Sequence, residues 1–394
     1  MRKKIVLMTG GTETLDYFSR QLEIGFLSLG YRTFLFDLQE EEESAEKLAH
    51  FAGFSDTILV TFNFDGLHCE TSLFDGFGRL FWDVRDIPCV NIVVDHPFYY
   101  PSLYENLPLH YYEVSIDRSH MAYLKKYYPE VKHNLFLPLA GTSLCPKQQE
   151  PLIKDREIDI LFTGNFTPKE QFDQYIYRLG DEYAAFYLSI LKELIQNPSL
   201  QDDLVMERHL KEEFKDASNE ELRTTMSNMI FIDTYIRNYF REKVIQTLVD
   251  AKIHVHCIGH GWHLLSCKHR EYLSYEKNQY SLDCLERMTH AKLSVNVMPW
   301  FKDGAHDRVF NAMANGSISV TDHSRYLDEI LTDNENVIFY DLKHLEELPD
   351  KICTLLSQPE KMQALSDNGF CLAQKSHTWI QRAQELHQKL LCHL

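Results

Sequence analysis

The nine cysteines of this sequence contain no Cys-x-x-Cys pair, and their odd number and scatter exclude a disulfide framework. They read as reduced thiols in a cytoplasm. No His, Cys and carboxylate spacing matches a metal site and no Asp-x-Asp motif occurs, so neither a metal nor a cofactor is expected. No apolar run approaches the ~18 residues that span a bilayer. The apolar part of "MRKKIVLMTGG" covers only residues 5–8, which suits a strand and not a signal peptide, so a soluble protein without a transmembrane segment is expected. Basic charge is scarce: 40 Lys and Arg face 58 Asp and Glu, a net −18. That balance excludes a nucleic-acid binder working by phosphate neutralisation, although it is compatible with a local cationic pocket. Gly-x-Gly-x-x-Gly, internal repeats and low-complexity tracts are all absent.

What is present is an ordinary globular composition, 44% hydrophobic and 25% charged, over 394 residues. That length suggests about two or three domains. Apolar β-branched runs alternate with helical spacing. Residues 4–9 end in Gly10-Gly11, and Leu15, Phe18, Leu22, Phe26 and Leu29 follow at helical intervals. Further strands are expected at 31–37, 56–62, 87–94, 109–116 and 133–141, with an acidic, solvent-faced helix near 40–53. The pattern lapses into a linker at 141–157 and restarts at 158–166. From 168 to about 250 only helix patterns occur, which marks an insertion. Strands resume at 252–259, 292–299, 317–322 and 336–341, and 343–392 reads as helical. The expectation is α/β: two Rossmann-like, doubly wound domains, 1–150 and 151–375, with 376–394 as a closing segment. The cleft between two such halves is the default ligand site.

The richest stretch is "WFKDGAHDRVFNAMANGSISVTD", residues 300–322. Val309, Phe310, Met313 and Ala314 suit a sheet-facing side, while Asp307, Arg308 and Asn311 lie nearer the opposite one. His306 and Asp307 fall in the first turn, where unpaired N–H groups and the helix dipole favour an anion. Arg308 can grip two phosphate oxygens, and Asn311 can both donate to and accept from a sugar hydroxyl. A diphosphate plus a polyol fits; so does an amphipathic helix with a solvated polar face. Elsewhere, "TGNFTPKE" (163–170) puts Gly164 and Asn165 in a βα turn where N–H groups can meet phosphate. "GHGWH" (259–263) lets Gly261 approach a base on which Trp262 can stack, and an ordinary polar surface turn is the alternative. "DHPFYYP" (95–101) brings Asp95 and His96 to a strand end, either for acid–base work or as a packed turn. Gly10 and Gly11 suit an acceptor. With Asp37 at the next strand end they also suit a dinucleotide site.

Residues 301–341 resemble the donor-nucleotide segment of group 1 glycosyltransferases of the retaining GT-B type, especially the CgeB-like (spore-maturation-protein) branch. The resemblance rests on Asp303-Gly304, Arg308, "VFNAMANGSISVTD", "SRYLDEIL" and "NVIFYD", extended by "ILFTGNF", "HCIGHGW", "NIVVDHPFYYP" and "SHTWIQRAQEL". It implies a GT-B fold whose terminal helix packs back on the first domain and couples cleft closure to binding. It implies metal-independent, retaining transfer from a nucleotide-sugar to an acceptor of unknown class: glycan, small molecule or protein. In that picture Arg308, with His306 and Asp307, neutralises the leaving diphosphate, Asn311 meets ribose or phosphate, and Asp303 orients donor hydroxyls. Gly164, Asn165, Gly261 and Trp262 complete the donor site, Asp95 and His96 flank the reacting centre, and Gly10 and Gly11 meet the acceptor. One position departs from the family, which has two glutamates eight apart: here they are Asp303 and Asn311, and Asn311 carries no carboxylate. An NAD(P)-dependent oxidoreductase, using Gly10, Gly11 and Asp37, and a non-catalytic nucleotide-sugar-binding protein are the other readings. An oligomer is compatible with all three.

Overall fold

A computed structural model describes residues 3–144, 151–277 and 280–394. Cys145, residues 145–150 of the expected linker, and the expected boundary at 150 lie outside the described residues. The chain divides into two compact units, Met1–Ala140 with His377–Leu394, and Gly141–Ser376.

The first unit is built on a six-stranded sheet: β1 (Lys4–Thr9), β2 (Arg32–Asp37), β3 (Thr57–Phe62), β4 (Cys89–Val93), β5 (Tyr111–Ser115) and β6 (Asn134–Phe136). Its order is β2-β1-β3-β4-β5-β6 and every neighbouring pair is parallel. The apolar runs behave as strands covered on both faces should, and β3, "TILVTF", is buried throughout. Helix Glu13–Ser28 covers the sheet through Leu15, Phe18, Leu22 and Phe26, as their spacing predicts.

Helix Trp379–Lys389 belongs to this same unit and packs on helix Glu13–Ser28. A Cβ on Gly25 would come within 2.5 Å of the Ala383 methyl, so the two helices meet at a point only glycine leaves open. Trp379 stacks near Phe18 (4.8 Å), and the buried Arg382 donates through Nε to the carbonyl of Pro138 at 2.7 Å.

The second unit carries β7 (Ile158–Thr163), β8 (Val255–Ile258), β9 (Leu273–Glu276), β10 (Ala291–Val295), β11 (Ile318–Asp322) and β12 (Ile338–Tyr340). Their order is β12-β11-β10-β7-β8-β9, again all parallel. β9 is the strand that sequence patterning does not anticipate: "LSYE" is short and exposed at its two central positions, so it has no apolar run. Between β7 and β8 the described chain is helical. It includes helices Asp181–Gln196, Asp202–Glu213, Asn219–Ser227 and the 21-residue Ile230–Asp250.

In both sheets the chain lays strands to one side of its first strand and then returns to the other. The reversal falls between β1 and β3 in the first unit and between β7 and β10 in the second. Open parallel sheets take ligands at the carboxyl ends of the strands flanking such a reversal.

Candidate functional site

At the carboxyl end of β7 the chain turns at Gly164 (φ 149°), and at the end of β8 it turns at Gly259 (φ 141°) and Gly261 (φ 89°). These turns press on each other. A Cβ on Gly259 would lie 2.4 Å from the Gly164 carbonyl oxygen, and one on Gly261 would lie 1.8 Å from that of Phe166. Trp262 is fully buried, stacks on Phe166 (5.1 Å, 22°) and donates from Nε1 to the Gly164 oxygen at 2.8 Å. The assignment of Gly261 and Trp262 to a nucleotide base is therefore corrected. The glycines permit contact between two turns, and the indole is core with no face left for a ligand.

The same packing brings the β7 turn against Arg308. A Cβ on Gly164 would sit 3.4 Å from Nη2 of Arg308, so the guanidinium lies against the β7 turn, 5.8 Å from the Phe162 ring. Arg308 occupies the first turn of helix Asp307–Ala314, which follows β10. Two more arginines converge from helix Ile230–Asp250. Arg241 donates from Nη1 to the Asn165 carbonyl oxygen at 2.8 Å. Arg237 and Arg241 lie 4.3 and 5.3 Å from the ring centre of Trp300, an arrangement in which an aromatic face holds cations that repel one another. Four residues apart, both arginines share one side of their helix.

Neutralisation of this group is incomplete. Arg237 is bonded to Asp233 (Nε to Oδ1 3.0 Å, Nη2 to Oδ2 2.7 Å). Asp307, the other nearby carboxylate, is turned inward: Oδ1 lies 2.5 Å from Nδ1 of His306, and Oδ2 accepts from Nδ2 of Asn311 at 2.8 Å. Nη1 of Arg308 and Nε of Arg241 are buried with no hydrogen-bond partner among the described residues. Burial pushes the Arg241 pKa well below its usual range, and the charges of Arg308 and Arg237 push it further. Burial lowers the Arg308 pKa; the charges of Asp307 and Cys284 oppose this, and Arg237 adds a smaller downward push. A buried donor left unmatched costs about 1–3 kcal/mol, more when charged. The arrangement is thus destabilising unless an anion supplies both charge and acceptors.

His306 stays neutral, its pKa pushed down to about 4 by burial and then by Arg308. Burial opposes ionisation of Asp307, but His306 and Arg308 outweigh it and hold the carboxyl below its ordinary range. Asn165 spends its Oδ1 on the His260 backbone N–H (2.9 Å) and remains exposed beside Arg241. Asp303 is half-buried in the loop between β10 and the Arg308 helix.

Asn311 is engaged by its own chain. Its Oδ1 accepts from the Thr142 backbone N–H at 2.9 Å while its Nδ2 is committed to Asp307, and the residue is 8% exposed. One turn later, Asn315 repeats the device, donating to the Thr142 oxygen and accepting from the Leu144 N–H. The two amides clamp the chain at 142–144 against the helix. One Nδ2 hydrogen and one Oδ1 lone pair of Asn311 are thus committed to the chain itself.

In the first unit, Gly10 turns at φ 79° after β1, with Asp37 Oδ1 at the place its Cβ would occupy (2.1 Å). A carboxylate there opposes the pyrophosphate of a dinucleotide, which counts against the oxidoreductase layout. Gly11 faces Asp65 Oδ2, 3.1 Å from its would-be Cβ. Asp95 follows β4 and accepts from Asn63 Nδ2 (3.2 Å) and the Tyr100 hydroxyl (2.9 Å). His96 caps the turn Pro97–Tyr99, accepting from the Phe98 N–H, and its ring packs on Phe98, His120 and Tyr123.

The sequence pattern places Arg308 at a helix start but gives no sign of Arg237, Arg241 and Trp300 as its companions. The available signal was a pair of arginines four apart in "IRNYFREK", on a helix otherwise rich in aromatic and aliphatic residues that leads straight into a strand.

Residues 237–388 match the family model for glycosyl transferase-like domains, and that match begins at Arg237. No curated protein sequence matches the chain significantly. Among solved structures, an alpha-glucosyltransferase in complex with UDP and a 13-mer DNA containing an HMU base is 12% identical with a TM-score of 0.56, over 98% of this chain and 99% of that one. Anabaena HepE in complex with UDP-glucose is 10% identical with a TM-score of 0.52, over 99% and 100%. Sucrose-phosphate synthase from Thermosynechococcus elongatus is 13% identical with a TM-score of 0.50, over 100% of both chains. At such identities the likeness is one of fold. The fold is GT-B.

Proposed function

We propose that this protein is a glycosyltransferase that takes its sugar from a nucleoside-diphosphate sugar held in the second unit. The observation that carries the reading is the trio of Arg308, Arg241 and Arg237 at the sheet reversal, with two buried guanidinium N–H groups unmatched. A diphosphate answers that need in charge and in number of acceptors. Its leaving oxygen gains negative charge as the bond to the sugar breaks. Guanidinium groups already fixed in place stabilise that charge without reorganising. Positive charge supplied in this way makes the reaction metal-independent in our reading. The Arg308 helix contributes its first-turn N–H groups, and Asp303 faces the donor's hydroxyls. The chain resemblance supports retention of configuration and the CgeB-like branch, and the scattered cysteines support a cytoplasmic setting. Asp95 and His96 are assigned to the acceptor side in the first unit, with Gly10 and Gly11.

The neighbouring structures carrying UDP or UDP-glucose support a uridine donor as the first probe. A thermal-shift screen of nucleoside diphosphates and their sugars, on wild type and Arg308→Ala, tests the site. Stabilisation by one base family that the substitution abolishes is expected; an equal shift in Arg308→Ala removes the arginine from its role. One observation favours a second reading, a nucleotide-sugar-binding protein without turnover: Asn311 is spent on the backbone clamp, so the family's ribose carboxylate has no counterpart there. Slow release of nucleoside diphosphate from any sugar nucleotide that stabilises the protein decides for the enzyme.

A further inference from the structure

The helical insertion supplies Arg237 and Arg241 to the cationic seat, and a lysine ties that insertion to the loop opposite them. The turn between helices Asp181–Gln196 and Asp202–Glu213 stands off the sheet. A cavity of about 450 Å³ is lined by Pro198 and Leu200 on that turn and by Asp322 and Tyr340 at the carboxyl ends of β11 and β12. Lys302, which also lines it, spans the gap. From the loop between β10 and the Arg308 helix, its Nζ donates to the Pro198 carbonyl at 2.7 Å and to the Pro299 carbonyl.

This ammonium is poorly placed for stability alone. Its side chain is 11% exposed, and the Asp202 carboxylate, 8% exposed, lies 3.9 Å away. Neither Asp202 oxygen accepts a hydrogen bond among the described residues. Burial raises the Asp202 pKa to about 7, Lys302 opposes the rise, and the charges of Asp233 and Asp203 add to it. The pair thus shares its field with Asp233, the partner of Arg237. Buried ion pairs of loose geometry contribute little stability, and their best-attested use is to fix register.

What Lys302 fixes is the loop. Two residues before it stands Trp300, whose ring receives Arg237 and Arg241, and one residue after it stands Asp303. The other side of the loop is held on the sheet. Asp322 Oδ1 accepts from the Met298 N–H at 2.8 Å, the Arg325 N–H donates to the Lys302 carbonyl at 3.0 Å, and the Ser324 hydroxyl donates to the Gly304 carbonyl at 2.6 Å. The sheet anchors the loop, and Lys302 draws the insertion onto it.

We infer that Lys302 is a positioning residue for the diphosphate seat: it sets the insertion against the β10 loop so that Trp300 holds Arg237 and Arg241 beside Arg308. The inference deepens the glycosyltransferase reading and rests on it. Its signature is coupling, because loss of Lys302 weakens nucleotide binding through Trp300 and not independently of it.

Titration calorimetry on the full-length protein tests this, with UDP, GDP and ADP as probes and Lys302→Met, Trp300→Leu and the pair as variants. Lys302→Met is expected to weaken the nucleotide that wild type binds about tenfold, and less than about twofold in the Trp300→Leu background. Lys302→Arg, which keeps a cation able to reach the Pro198 carbonyl, should recover most of the affinity; a merely structural lysine would change melting temperature and leave the affinity of the folded protein alone. Lys302→Met/Asp202→Asn removes both buried charges and carries the same expectation where the single variant does not fold. Unchanged affinity in Lys302→Met, or equal weakening with and without Trp300, overturns the inference while wild-type binding leaves the glycosyltransferase reading standing. A wild type that binds none of the three nucleotides overturns that reading and the inference with it.

Discussion

The carboxyl ends of the two sheets are built on one plan and charged in opposite senses. Both offer glycine turns at the reversal of strand order: Gly10-Gly11 in the first unit, Gly164 in the second. In the first, the space beside the glycines is occupied by the carboxylates of Asp37 and Asp65. In the second it is occupied by Arg308, with Arg241 and Arg237 behind it. The reversal of strand order that both sheets share therefore sets where a ligand can sit, while the side chains at the turns decide its charge. The cationic end is complementary in charge to an anion, and the acidic end is not. The net −18 of the whole chain conceals this division, because a bulk charge averages over both.

Several substitutions would break or sharpen that contrast. The largest effect is expected from Trp262→Ala. If the β8 turn is a packing device and not a base platform, removing this buried indole should cost about 3–5 kcal/mol of stability in chemical denaturation. A mild stability loss with selective loss of nucleotide binding would restore the base-stacking role.

Arg241→Met comes next. It should weaken nucleoside-diphosphate binding roughly 100-fold, the scale of a lost buried charged hydrogen bond. Because it also removes a buried cation repelled by Arg308 and Arg237, the ligand-free protein should melt no lower than wild type. A large drop in ligand-free melting temperature would make Arg241 structural.

Asn311→Asp keeps the acceptor for Thr142 but loses the donor to Asp307 and sets two carboxylates together. About 1–3 kcal/mol of destabilisation is expected. A variant as stable as wild type would show that the clamp is dispensable.

The smallest effect concerns pH in the first unit. Glu113 is buried beneath Tyr104 and Tyr111, whose hydroxyls donate to it at 2.9 Å each. Burial raises its pKa from 4.5 to about 7 despite those bonds. The folded state holds a proton that the unfolded chain releases at lower pH. Stability from this group is therefore complete below about pH 4.5 and is lost as pH rises through about 7. Glu113→Gln should flatten that part of the stability–pH curve, measured as the difference from wild type.

Eleven of the twelve strands among the described residues were legible because each is a short apolar run bounded by turn residues, and buried parallel strands leave that trace. β9 was not, since an exposed edge strand such as "LSYE" needs no such run. Arg308 was legible because a helix start directly after a strand restricts where its side chain can go. Arg237 and Arg241 were hidden. They lie about 70 residues upstream in a helical insertion, and only the tertiary fold brings them to Trp300. Asn311 and Trp262 have internal partners that the sequence does not announce. A polar or aromatic residue near a glycine turn suggests a ligand, yet here the partners are the chain's own backbone at Thr142 and Gly164. Hydrogen bonds between residues 95 to 170 apart leave no periodic mark in a sequence.

Titration calorimetry of UDP against wild type, Arg308→Ala and Arg308→Ala/Arg241→Met addresses the cationic seat most directly. Heat of binding in wild type that weakens strongly in the single variant and vanishes in the double is the expected result. Full-strength binding by the double variant would contradict it.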